Sequence, residues 1–213
     1  IEPQTVVRLN NRRSQLQAEE REEINRILLE LSGQLMPYYE DIRQNQYIMG
    51  KLDFIQARSA YAHDIQAIKP KFSLERHVRL LQARHPLLDR DQVVANDIIL
   101  GQDYRTLIIT GPNTGGKTIL LKTLGLLHLM GQAGLHIPAD PGSQLGLFDE
   151  IFADIGDEQS IEQSLSTFSG HMTNIIDILN QASHESLLLF DELGSGTDPQ
   201  EGSSLAMAIL DYV

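Results

Sequence analysis

One segment constrains this chain more than any other. Leu107, Ile108, Ile109 and Thr110 form an apolar run, and Gly111, Pro112, Asn113, Thr114, Gly115, Gly116, Lys117 and Thr118 follow at once, matching G-x-x-x-x-G-K-[ST] ahead of a helical pattern from Thr118 to Met130. The pattern demands a strand that ends in a loop opening a helix. Glycines let consecutive backbone N–H groups turn inward around phosphates, and the helix N-terminus adds its positive end. Lys117 then reaches the β and γ phosphates of a nucleotide, and Thr118 offers a hydroxyl to Mg²⁺. Charge supports this reading. Residues 1–105 carry 15 Lys and Arg against 15 Asp and Glu, whereas residues 106–213 carry 2 against 14, so Lys117 is a rare cation in an acidic half.

Some seventy residues further on, the apolar run Leu187, Leu188, Leu189, Phe190 ends in Asp191 and Glu192. A buried strand of this kind brings Asp191 beside the phosphate loop, where it can hold Mg²⁺, and directs Glu192 toward an attacking water. Paired carboxylates at such a strand end indicate hydrolysis rather than nucleotide storage. Gly194, Ser195, Gly196, Thr197, Asp198 and Pro199 follow, with Asp198 as a helix N-cap, Pro199 in the first turn and Glu201 as a capping-box acid. The glycine pair is more flexible than a plain strand-to-helix turn needs.

Around this site the pattern predicts an α/β layer. Short apolar runs at 78–81, 98–100, 107–110, 146–148, 151–155 and 187–190 alternate in the later part with helical runs at 118–130, 167–181 and from 199 onward, which implies a mainly parallel sheet. Before Pro70 the period is helical: one long helix from Val6 to Leu35, ended by Gly33 and Pro37, and a second from Tyr38 to Ala67 with Ile42, Ile48, Leu52, Ile55, Tyr61 and Ile65 as its buried stripe. The expected division is a helical segment at 1–70 and a nucleotide-binding domain at 71–213. The absence of cysteine excludes a disulfide framework, a thiolate metal site and a cysteine nucleophile. The apolar stretch from Ile119 to Ile137 is broken by Lys122, His128, Gln132 and three glycines, so it reads as a buried helix and not as a membrane span. A start at Ile1 and an apolar helical pattern running up to Val213 suggest a piece of a longer protein, truncated at the C-terminus. The seven histidines show no metal-ligand spacing. His171 reads as a helix-surface residue or a nucleotide or interface contact, and the others read as structural, with His85 also near the expected adenine side.

The loop G-P-N-T-G-G-K-T, the stretch S-T-F-S-G-H-M at 166–172 and the run from Asp191 to Pro199 together resemble the ATPase domain of MutS-type proteins, within the ABC-class ATPases. A-G-L-H-I-P-A at 133–139, I-G-D-E-Q-S-I-E-Q-S-L at 155–165 and G-T-D-P-Q-E-G at 196–202 are closer still to the bacterial paralogue family called endonuclease MutS-two; the mismatch-repair branch would show S-T-F-M-V-E-M and G-T-S-T-Y-D-G. The resemblance covers nearly the whole chain, because residues 1–67 resemble the helical lever that returns to the ATPase and A-R-H-P at 83–86 resembles the segment entering the nucleotide domain.

The resemblance implies an ATP-hydrolysing P-loop domain using ATP and Mg²⁺, in a cytoplasmic homodimer that sandwiches nucleotide. It makes Ser166 the signature serine that contacts the γ-phosphate held by the other protomer, gives Asn113 a γ-phosphate contact within the loop, and puts Asp198 in a segment that signals between sites. It further implies DNA or the ribosome as partner, in recombination suppression or rescue of collided ribosomes, through parts mostly outside this chain, and no membrane. A switch histidine is expected beyond Val213, and a C-terminal nuclease module is not expected in this chain. The alternative function is an ATPase subunit of a transporter or chromosome-organising protein, against which the transporter signature L-S-G-G-Q is absent. A non-enzymatic helical scaffold is the third reading.

Overall fold

The computed structural model describes residues 3–112, 115–156 and 164–213. By its contacts the chain divides into two compact units, Ile1–Ala57 and Arg58–Val213, a division that falls inside the second long helix and ahead of Pro70.

The first unit is helical. Helix α1 spans Gln4–Leu35 and passes through a single 3₁₀ turn, Met36–Tyr38, into α2 at Tyr39–Asp64. Helix α1 ends at Leu35, between Gly33 and Pro37 as expected, while the backbone stays helical through the 3₁₀ turn. Pro37 lacks the N–H that an α-helical bond requires, but it fits the start of the 3₁₀ turn, and Leu35, Met36 and Tyr39 all keep right-handed helical angles. The turn therefore tightens the helix and does not reverse it. Neither helix contains a buried residue, so the predicted stripe at Ile42, Ile48, Leu52 and Ile55 is exposed, while Tyr61 and Ile65, in the second unit, pack against a core. An apolar stripe is buried only where another element faces it, and α1 does not fold back over α2.

The second unit is α/β. Strands β1 (Lys71–Ser73), β2 (Val78–Ala83), β3 (Asn96–Leu100) and β4 (Gln144–Gly146) form one sheet in the order β1-β4-β2-β3, in which only β1 and β4 run parallel. Strands β5 (Glu150–Asp154) and β6 (Ser186–Phe190) form a separate parallel pair, in register from Glu150 opposite Ser186 to Asp154 opposite Phe190. The mainly parallel sheet is thus corrected to a mixed sheet beside a parallel pair. The run at 107–110, expected as the strand entering the phosphate loop, joins no ladder among the described residues, and Ile108 is 66% exposed. An apolar run becomes a strand only where it lies along another strand, and this one pairs with none of the strands described. The strand expected at 146–148 lies two residues earlier, because Gln144–Gly146 pairs with β1.

Helices α3 (Lys117–Gln132), α4 (Ser164–Gln181) and α5 (Pro199–Tyr212) complete the unit. Leu124, Leu127 and Met130 of α3 share one core with Val78, Leu80 and Leu145 of the four-stranded sheet and with Leu187 and Leu189 of β6. That burial sets the N-terminus of α3 against the C-terminal end of β6. Among the described residues, no helix is long and apolar enough to cross a membrane.

Candidate nucleotide site

The two halves of the predicted site meet where α3 begins and β6 ends. Gly116 caps α3 with φ 75° and ψ 17°, a left-handed conformation that glycine adopts without a Cβ clash, and no side chain caps the first turn. The Gly115 N–H donates to the Pro112 carbonyl at 2.9 Å, closing the loop locally, and the Lys117 ammonium bends back to donate to the Gly111 carbonyl at 2.6 Å. Among the described residues, a Cβ placed on Gly111 or Gly116 would meet nothing within 4 Å. Asn113 and Thr114 lie outside the described residues.

The Thr118 hydroxyl donates to Asp191 Oδ2 at 2.5 Å, across 73 residues of sequence. A hydroxyl beside a carboxylate is a hard-oxygen pair of the kind Mg²⁺ takes from protein while keeping water and phosphate oxygens in its other positions. The residues present therefore fit a Mg²⁺–nucleotide. Among the described residues, no group of three or more His, Asp or Glu side chains converges into a metal cage.

Glu192 follows Asp191 with φ 50°, a left-handed conformation costly for a residue with a side chain, on the order of 1–3 kcal/mol. It is exposed, and its carbonyl accepts the Ser195 N–H at 2.9 Å. The next turn is held by close approach rather than looseness: at Gly194, with φ 81°, a Cβ would run into the Gly202 carbonyl, and one on Gly202 would run into that of Gly194. Asp198 caps α5 by accepting the Gln200 N–H at 3.0 Å, with Pro199 next. Glu201 does not close the expected capping box; its carboxylate accepts the Thr197 hydroxyl at 3.4 Å.

Ser166 belongs to the first turns of α4, and its side chain lies outside what the structure describes. His171, on the same helix, is half-buried and turned inward, not displayed on the helix surface. Its Nδ1–H donates to Asp154 Oδ2 at 2.9 Å, and Asn174, one turn on, donates to Asp154 Oδ1 at 2.7 Å. Asp154 is 5% exposed at the end of β5, and its carbonyl accepts the Asp191 N–H at 2.9 Å. Sequence reasoning missed Asp154 and Asn174. Their traces were a lone acid inside the apolar run 151–155 and the i,i+3 spacing of two polar side chains on an apolar helix. His85 follows β2, its Nδ1 accepts the Leu87 N–H at 3.3 Å, and burial, with the charge of Lys122, lowers its pKa.

Comparison with known proteins agrees with this geometry. Residues 107–213 match MutS domain V, which takes in both halves of the site. The chain is 60% identical to Endonuclease MutS2 of Enterococcus faecalis over 99% of its own length, 63% identical to that of Levilactobacillus brevis over 100%, and 62% identical to that of Ligilactobacillus salivarius over 100%. It spans 27% of the length of each of these relatives. The class is therefore that of proteins carrying a MutS domain V. Within it, the chain belongs to the MutS2 family.

Proposed function

We propose that this chain binds and hydrolyses ATP as part of an ATP-driven dimer clamp. The observation that carries the reading is the bond from Thr118 to Asp191, which joins the loop helix to the carboxylate strand end. In this reading Gly111 to Thr118 cradle the phosphates, Lys117 neutralises their charge, and Thr118 with Asp191 holds Mg²⁺, which when bound offsets phosphate charge as the terminal phosphoryl group leaves. Glu192 orients and deprotonates the attacking water. Its backbone strain supports a functional demand at that position. Ser166 completes the γ-phosphate site of a second copy from the helix α4, and residues 1–70 serve as the lever that transmits closure.

The acidic half makes nucleic acid an unsuitable partner for the ATPase surface itself, since backbone phosphates require Lys and Arg. DNA or ribosome contacts in recombination suppression or ribosome rescue then fall to parts mostly outside this chain, in a cytoplasmic protein. The relatives' name, endonuclease, describes proteins far longer than this chain, and nuclease activity is not assigned here.

The test uses the full-length protein. Lys117→Ala removes charge-assisted hydrogen bonds worth about 1.5–3 kcal/mol each, so fluorescent ATP should bind at least about tenfold more weakly. Glu192→Gln should keep nucleotide binding and reduce turnover by about 10²–10⁴-fold. Unchanged ATP binding by Lys117→Ala defeats the site assignment, and unchanged turnover by Glu192→Gln removes the base role.

A further inference from the structure

Asp154 stands between the helix that bears Ser166 and the strand end that presents Asp191 and Glu192. Its carboxylate is buried and both oxygens are taken by one face of α4, Oδ2 by His171 and Oδ1 by Asn174. Two donors one helical turn apart prevent the carboxylate from rotating, and an inserted charge without them would cost several kcal/mol. The His171 ring is itself confined: a Cβ on Gly156, two residues past Asp154, would lie 3.0 Å from His171 Cε1, so the chain after β5 passes close against the ring edge. The main chain of Asp154 extends the β5–β6 ladder by accepting the Asp191 N–H at 2.9 Å. Asp191 in turn accepts the Thr118 hydroxyl. Two hydrogen bonds and one residue's backbone thus separate the His171 imidazole from the amide of the carboxylate that meets the phosphate loop.

We propose that His171 is a positioning residue for ATP hydrolysis: through Asp154 it ties the seating of α4 to the placement of Asp191 and Glu192, so that both are set together. The proposal rests on the ATPase reading above. His171 touches neither nucleotide nor water in this role. A displacement of the strand end by about 1 Å is enough to cost on the order of 10²-fold in a positioned reaction, whereas phosphate binding by the loop and Lys117 tolerates it. The effect therefore falls on kcat more than on nucleotide affinity.

Full-length protein with Mg²⁺, assayed for steady-state turnover and for equilibrium binding of fluorescent ATP, tests this. His171→Ala should lower kcat at least about tenfold and leave the ATP dissociation constant within about twofold. His171→Asn puts an amide nitrogen where Nδ1 stood and should recover turnover to within about threefold of the parent, while His171→Gln, whose nitrogen reaches the Nε2 position, should not. The Asn and Gln pair has similar polarity, so the contrast survives if the alanine variant folds poorly. Turnover by His171→Ala within about twofold of the parent, equal loss in the Asn and Gln variants, or parallel loss of ATP binding and turnover overturns the proposal. A parent whose turnover persists in Lys117→Ala overturns the ATPase reading and this one with it. Lys117-dependent turnover that ignores His171 overturns this one alone.

Discussion

Leu29 and Leu127 both sit on long helices of one chain, yet Leu29 is 74% exposed and Leu127 is fully buried. The difference separates two kinds of structure. In the α/β unit α3 packs against both sheets and α4 against β5, so an apolar residue there is removed from water and fixes its helix in space; Leu127 joins the core shared by both sheets and thereby aims the loop at Asp191. In the helical unit α1 and α2 follow one another through a 3₁₀ turn and bury nothing, and they persist by local hydrogen bonds and by pairs such as Arg26 with Glu23 and Glu30. Such exposed pairs contribute little, because water and salt screen them. A site that depends on placement to a fraction of an ångström belongs in the first setting and not in the second.

Three measurements sharpen or break this contrast. The largest stability effect belongs to Leu127→Ala, which should lower the unfolding free energy by about 2–5 kcal/mol in urea titration, because both transfer and cavity costs apply at a filled position. A loss below about 1 kcal/mol would mean that the core collapses around the change and does not aim the loop.

Next comes acid. His128 is fully buried on α3, its Nδ1–H donates to the Leu124 carbonyl at 2.7 Å, and burial pushes its pKa down from 6.5 to about 4. The unfolded chain gains a proton near pH 6.5 while the folded one resists until about 4, so stability falls as pH drops through that window, by up to about 3 kcal/mol. Above the unfolded value the contribution is fully present. His128→Phe should flatten the dependence between pH 6.5 and 4. A slope unchanged in that variant would assign the acid loss to other groups.

The smallest effect should be Leu29→Ala in α1, within about 0.5 kcal/mol of the parent in the same titration. A loss of 2 kcal/mol or more, comparable with that for Leu127→Ala, would show that the face of α1 is covered in solution and would erase the contrast between the two units.

The local elements were legible wherever a short-range rule governs them. The helix that opens at Lys117, the strand that leads into Asp191 and Glu192, and the Asp198–Pro199 helix start all stand where spacing put them. His171 was visible as an oddity on its helix but not as a partner of Asp154, since the pairing joins elements whose approach no pattern reports. Gly202 likewise gave no sign of its contact with Gly194.

By itself the sequence determined the groups on offer, because residue type and short spacing suffice to make a glycine-rich loop ahead of a helix, a hydroxyl and a pair of carboxylates. Tertiary structure alone decided three other matters: that Thr118 and Asp191 touch, that the run at 107–110 pairs with no strand among the described residues, and that the apolar stripe of α2 stays exposed through most of its length. Each depends on which surface arrives opposite a residue, and that is settled by how helices and sheets bury one another, over separations that periodicity in the chain does not encode.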